Sequence, residues 1–252
     1  CGTAGAFAAI KDNGSVATWG HPGMGGDSSS VAELLMTGVV QIVATDTALA
    51  AIKDNGSVVT WGAWNHGGDS TAVATLLAEG VAQVCGNTGA FAARKSNGSV
   101  VTWGDTFSSG DSSKVATLLT EGVVQVYSNY YAFVALKADG SVVTWGCDDY
   151  GADQSAVATL LSEGVVQVCG SGGAFAAIKS GGSVVTWGDD WGGDSSEVAA
   201  LLTEGVVQIC GGEMAFAAIK ADGSVVSWGD SRYGGDSSAV ASLLTQGVVA
   251  IC

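Results

Sequence analysis

Apolar residues recur along the chain in short runs broken by glycine-rich polar stretches, and no run is long enough to cross a membrane as a helix. One stretch shows the pattern in full. Gly80-Val81-Ala82-Gln83-Val84-Cys85 predicts a short strand, and Gly86-Asn87-Thr88-Gly89 a loop. Ala90 to Arg94 and Ser99 to Trp103, rich in aromatic and β-branched residues, predict a β-hairpin around Asn97-Gly98. The same position holds Asp139-Gly140, which suits a two-residue type I′ turn with positive φ at both central residues. A second loop follows, from Gly104 to Gly110. From Asp111 to Gly122, the i, i+3, i+4 spacing of Val115, Leu118 and Leu119 predicts a helix with one apolar face. Asp or Ser at its start suits an N-cap, and Gly122 a C′ glycine. The stretch therefore reads as three short strands and a helix of two to three turns.

The pattern repeats. Trp19, Trp61, Trp103, Trp145, Trp187 and Trp228 are spaced by 42, 42, 42, 42 and 41 residues. A single domain of six tandem units follows, at about 1–42, 43–84, 85–126, 127–168, 169–209 and 210–252. A fixed period of this length with a hairpin in each unit points to a propeller or a solenoid. Neither a signal peptide nor an initiating Met leads the chain, which reads as a mature product or an excised segment.

Composition narrows the function. The 252 residues carry a net charge of −15, and six of the nine basic residues form one column: Lys11, Lys53, Lys95, Lys137, Lys179 and Lys220. Single lysines at strand ends read as a solvated rim. Nucleic-acid binding would require a basic patch and is argued against. The histidines, His21 and His66, sit in variable loops, and no nucleophile–base–acid set, phosphate loop or Rossmann fingerprint is present. The chain reads as non-enzymatic, with no cofactor and, lacking CxxC or Cys/His spacing, no metal. Asp27, Asp69, Asp111, Asp153, Asp194 and Asp236 precede Ser or a similar residue at each helix start, where capping explains them better than calcium. Asn13, Asn55 and Asn97 match a glycosylation sequon, but their hairpin-turn position accounts for them.

The run from Val165 to Gly193, VVQVCGSGGAFAAIKSGGSVVTWGDDWGG, and its relatives in the other units resemble the RCC1 repeat superfamily. The short unit looks most like the bacterial β-lactamase-inhibitor propellers of that superfamily, and closer still to tandem GSVVTWGD…GGDSS arrays of some marine unicellular algae. The resemblance spans the chain. It implies a mainly β, RCC1-like propeller with four-stranded blades. The count here is six blades of about 42 residues, each with a short capping helix, where those relatives usually have seven; a seven-bladed form or a fragment of an open array is the alternative.

Two loops per unit vary on this frame, and variable loops on a repeated scaffold are where recognition usually resides. The loop after Trp-Gly carries Trp64, Phe107, Tyr150, Trp191 and Tyr233, a broken aromatic ring suited to contacting protein or carbohydrate. The loop after the first strand is a second surface, and the resemblance to the inhibitor-type relatives implies partner contact there. The side chains suited to it are Asp46, Asn129, Tyr130, Tyr131, Glu213 and Met214. Cys1 and Cys252 fall in the same column as Cys85, Cys169 and Cys210. In a closed six-fold ring the strand from Val248 to Cys252 would complete the first blade, and Cys1–Cys252 is a candidate disulfide in an oxidising compartment. Cys169 and Cys210 read as small apolar packing residues.

These features predict a protein-binding scaffold propeller, with a role as accessory subunit of a larger assembly and self-association both open to it. A lectin-like carbohydrate binder and a self-assembling structural repeat are alternatives. Nucleotide exchange on a small GTPase, which the superfamily resemblance also brings to mind, relies on an insertion that six units of near-equal length do not provide.

Overall fold

The structure, a computed structural model, describes residues 1–190 and 192–251; Trp191 and Cys252 lie outside the described residues. The fold is mainly β. Six antiparallel sheets follow one another along the chain. The first is the hairpin β1 (Ala6–Ile10) and β2 (Val16–Gly20). The second and third are β3 (Val39–Ala44), β4 (Ala48–Lys53) and β5 (Val58–Gly62), then β6 (Val81–Gly86), β7 (Ala90–Lys95) and β8 (Val100–Gly104). The fourth is β9 (Val123–Ser128), β10 (Ala132–Lys137) and β11 (Val142–Gly146). The fifth is β12 (Val165–Gly170), β13 (Ala174–Lys179) and β14 (Val184–Gly188), and the sixth β15 (Val206–Gly211), β16 (Ala215–Lys220) and β17 (Val225–Gly229). The chain divides into two compact units, Cys1–Val126 and Tyr127–Cys252.

The blades have three strands, not the four implied by resemblance, and the first has two. Residues 248–251 form no strand, so the expected completion of the first sheet by the segment from Val248 is not seen among the described residues. The disulfide expectation involves Cys252, outside those residues; Cys1 is exposed.

Two local expectations are also corrected. The hairpin turn is not type I′. Gly14 N–H donates to Lys11 O at 2.9 Å, Lys11 N–H donates to Ser15 O at 2.8 Å, and Gly14 alone in the turn takes a positive φ, 73°. This is a three-residue loop, a type I turn closed by a left-handed glycine bulge. The Asn or Asp before the glycine favours it, because its side chain holds the turn from within: Asn13 Oδ1 accepts from Ser15 N–H at 3.0 Å and from Ser15 Oγ at 2.8 Å. The expected α-helices are 3₁₀ segments, from Ser29–Leu35 and Ser113–Leu119 down to three-residue turns such as Thr71–Val73. In Ser113–Leu119 the apolar face narrows to Leu119, with Val115 half-buried and Leu118 exposed. A short Ser/Val/Thr-containing segment has little to gain from α-helical propagation, and i→i+3 turns suffice for its length.

Sheets pack through alternating faces. In the second sheet Leu49, Ala51, Val59 and Trp61 face one way, clustering with Ala8, Leu35 and Val39. Ala48, Ala50 and Ile52 face the other, against Phe91, Ala93, Val101 and Trp103 of the third sheet, with Leu77 and Val81 filling the joint. The same joint recurs in the second unit. Alanines on one side let the large rings of the next sheet approach closely, which is why Ala and Phe alternate along the middle strand. Phe91 stacks on Trp103 with ring centroids 5.3 Å apart, and the equivalent pairs repeat this.

A polar clasp adds to the joints within each unit, although the buried Trp145 indole N–H makes no such bond. Trp61, Trp103, Trp187 and Trp228 donate Nε1–H to the carbonyls of Gly25, Gly67, Gly151 and Gly192 in the preceding repeat, at 3.0–3.1 Å. Gly67 takes φ +94°, and a Cβ there would lie 2.5 Å from Phe91 Cδ2. Lys53, Lys95 and Lys220 donate Nζ–H to Leu34, Leu76 and Leu201 carbonyls at 2.8–2.9 Å, and Lys179 to Leu160 O. These four lysines of the column thus tie back to the stretch that precedes their own sheet's first strand and are not merely a solvated rim. In the cysteine column Cys85, Cys169 and Cys210 are half-buried opposite Ala92, Ala176 and Ala217, and burial pushes the Cys169 thiol up.

Candidate functional site

Antiparallel alternation fixes where the variable loops emerge. The first strand of each sheet runs one way, the middle strand returns and the last runs with the first. The loop after the first strand and the loop after Trp-Gly therefore leave from the same end of the sheet, and the hairpin turns from the other. The two surfaces predicted separately are one.

A buried polar residue stitches the two loops together in successive repeats. Thr45 Oγ1 donates to His66 O at 3.1 Å and accepts from Ala48 N–H at 2.9 Å. Asn129 Nδ2 donates to Tyr150 O at 2.6 Å, while its Oδ1 accepts from Tyr131 N–H at 3.1 Å and Ala132 N–H at 2.8 Å. Thr3 and Asn87 make the matching bonds to Met24 O and Ser108 O. Asn129 is buried, so within the candidate set it positions loops and does not offer a surface contact. Sequence reading missed this role; the signal was the recurrence of Thr, Asn or Ser three residues before the middle strand's first alanine. Backbone bonds also run from loop to loop, with Ala4 N–H to Asp46 O and Asp46 N–H to Thr88 O in the first unit, and Tyr130 N–H to Gly172 O and Gly172 N–H to Glu213 O in the second.

On this frame the candidates separate by exposure. Trp64 is 76% exposed, and Phe107, Tyr130 and Tyr233 are exposed as well. Asp46 and Glu213 are exposed, and Met214 is half-buried. Tyr150 is drawn into a cluster, its ring edge-on to Tyr131 at 4.7 Å, with Tyr131 edge-on to Tyr130 at 6.5 Å. The structure thus joins Tyr150 from one predicted surface to Tyr130 and Tyr131 from the other. Burial pushes the Tyr150 phenol up. Trp191 lies outside the described residues.

Clefts open between neighbouring repeats at this end. In the first unit a cleft of about 520 Å³ has Trp64 and Asn65 on one wall and Trp103, Asp105 and Thr106 on the other. In the second, an open cleft of about 980 Å³ is lined by Asp190, Asp194, Glu197, Asp230, Arg232 and Asp236 among others. The convergence of these carboxylates is not legible in the sequence. Arg232 Nη2 meets Asp230 Oδ2 at 2.5 Å, and hydrogen bonds from Arg232 hold the Asp230 carboxyl below the usual range. The Asp column behaves as expected of capping residues: Asp111 Oδ1 accepts from Ser113 N–H at 2.8 Å, and Asp27, Asp69, Asp153, Asp194 and Asp236 do the same.

Residues 123–152 match the family model for the Regulator of chromosome condensation (RCC1) repeat. No curated protein matches the chain in sequence. Among solved structures, Prp20p from Saccharomyces cerevisiae superposes with a TM-score of 0.53 at 16% identity, over 90% of this chain and 70% of Prp20p. The CRINKLY WD40 ectodomain of the Arabidopsis thaliana receptor kinase ACR4 gives 0.53 at 18% identity, over 91% and 82% of the two chains. Human WBSCR16 gives 0.51 at 18% identity, over 76% and 61%. Residues 123–152 thus carry the pattern of an RCC1 repeat, and the structure has the RCC1-like β-propeller fold of these proteins.

Proposed function

We propose that the chain is a non-enzymatic scaffold that binds a protein partner at its loop-bearing end, through the exposed rings of Trp64, Phe107, Tyr130 and Tyr233 and the exposed carboxylates of Asp46 and Glu213. The observation that carries this reading is the convergence of both variable loops of each repeat on one end of its sheet, with Trp64 held out into solvent there in the first unit. A large ring kept exposed on an ordered loop has contact area to bury at little entropic cost. The acidic cleft of the second unit and the net charge of −15 favour a partner surface bearing Lys and Arg. The comparison with Prp20p, whose binding to Gsp1p and histones is described, adds support of fold alone.

The test is affinity capture from source-cell extract with the folded chain as bait, repeated with Trp64→Ala, Phe107→Ala and Tyr233→Ala combined, and with Asp54→Ala at the hairpin-turn end as control. A partner retained by wild type and by Asp54→Ala but lost with the triple change supports the reading. A partner indifferent to the triple change, or binding only to glycans on an array, sinks it.

A further inference from the structure

The hairpin turns of the first unit use only the oxygen of an asparagine side chain. Asn13, Asn55 and Asn97 each accept at Oδ1 from the serine two residues on, its N–H at 3.0 Å and its hydroxyl at 2.8 Å. In the second unit Asp139 and Asp222 stand at the same place and make the same bonds. Their Oδ1 accepts from Ser141 and Ser224, the N–H at 2.9 Å and the hydroxyl at 2.6 Å. The fifth repeat has Gly181 there, and its turn still closes, with Gly182 N–H donating to Lys179 O at 2.7 Å. The turn therefore asks for an oxygen at most, and its geometry gives no reason for an amide over a carboxylate.

The amide nitrogens are left over. Nδ2 of Asn13, Asn55 and Asn97 donates to no protein atom among the described residues, and all three side chains are exposed. Asn87 and Asn129 differ: both are buried, and both spend Nδ2 on loop carbonyls, of Ser108 and Tyr150. Asn65 is exposed as well, but His66 and Gly67 follow it. The three asparagines at hairpin turns are each followed by Gly-Ser, which completes the Asn-x-Ser acceptor sequence. They lie at the hairpin-turn end of their sheets, away from both variable loops.

We propose that Asn13, Asn55 and Asn97 are acceptors of N-linked glycan. The donor is an oligosaccharide carried on a polyprenyl diphosphate and transferred in a secretory lumen. Nδ2 bonds to the anomeric carbon of the sugar, and the bond from that carbon to the diphosphate oxygen breaks. The polyprenyl diphosphate leaves, and Nδ2 gives up one proton. The product keeps Oδ1 as an acceptor, so both turn bonds survive the modification. A bulky, hydrated sugar then covers the turn end of these sheets. The loop-bearing end, with the exposed rings of Trp64 and Phe107, stays open.

The test is mass spectrometry of the protein isolated from its source cells, digested with trypsin and then with peptide-N-glycosidase A in heavy-oxygen water. Trypsin separates the acceptors, because cuts at the basic residues leave Asn13 in 12–53, Asn55 in 54–94 and Asn97 in 96–114. Each of the three is expected to become an Asp carrying one heavy oxygen, and only after the glycosidase. Asn65 and Asn87, in the same peptide as Asn55, remain Asn. Unmodified Asn at all three positions overturns the proposal. Asp without heavy oxygen overturns it too, since that is spontaneous deamidation of Asn-Gly. A second measurement sends wild type, Asn13→Asp, Asn55→Asp and Asn97→Asp through the secretory pathway of a eukaryotic host. Each variant should lose one glycan step in gel mobility and, once deglycosylated, unfold in urea as wild type does, because Asp139 shows that a carboxylate holds the turn. A wild type secreted without glycan counts against the proposal. Partner capture at the loop end is a separate measurement, so either reading can fail without the other.

Discussion

Replacing Trp103 with Phe tests whether the indole–carbonyl clasp holds neighbouring repeats together. Trp103 is buried, stacks on Phe91 and donates Nε1–H to Gly67 O at 3.0 Å; Gly67 is buried too. Phenylalanine keeps the stack and removes the donor. The Gly67 carbonyl, with no route to water, then loses its partner at a cost of about 1–3 kcal/mol. The missing part of the ring leaves a gap worth roughly another 1 kcal/mol, a fraction of what truncation to alanine costs. The sum, about 2–4 kcal/mol, corresponds to a fall of roughly 5–15 °C in melting temperature for a chain of this size. Trp19→Phe is the control: Trp19 is half in solvent, and an exposed substitution changes stability by about 0.5 kcal/mol or less. Thermal and urea unfolding followed by far-UV circular dichroism measure both. Equal losses for the two variants would refute the clasp as a source of stability.

Three further outcomes follow from the same geometry. Gly67→Ala places a Cβ 2.5 Å from the Phe91 ring at φ +94° and should cost about 2–5 kcal/mol, whereas Gly181→Ala, with open space around it, should be neutral or slightly stabilising by urea unfolding. Asn129→Ala removes three hydrogen bonds that join the two loops and should cost about 2–4 kcal/mol, with loss of the near-UV signal of the Tyr131–Tyr150 pair. The carboxyls of the Asp column are held below their ordinary value, first by the amide two residues on and then by that residue's side chain. A folded value below the unfolded one means stability that is present above the unfolded value and lost as pH falls through the folded one. Acid unfolding should therefore shift to higher pH in Asp111→Asn, and carbon NMR titration should place the Asp111 carboxyl below free Asp; an unshifted titration would remove capping as the explanation.

The repeat, the hairpins and the three strands of most units were legible because Trp, Gly and alternating apolar residues recur at a fixed period of 41–42 residues. The turn type was not, since Asn-Gly serves two hairpin loops, and the difference lies in whether Asn13 or only Gly14 takes positive φ. The helices were misread because Val115, Leu118 and Leu119 satisfy an α pattern that a 3₁₀ segment of seven residues also accommodates. The candidate loops were found as sequence variation, but their union on one end was hidden. The antiparallel strand order sets that union, and Thr45 and Asn129 fix the paired loops by reaching carbonyls 21 residues away. The acidic cleft was hidden for the same reason: Asp190, Glu197 and Asp230 are brought together only by the packing of one repeat on the next.

The most direct test of the central claim is hydrogen–deuterium exchange of the chain with and without its captured partner. Protection is predicted at residues 63–67, 105–108, 129–131 and 231–233, with the hairpin turns at 54–57, 96–99 and 138–141 unchanged. Protection confined to the hairpin turns, with those loops exchanging freely, would contradict it.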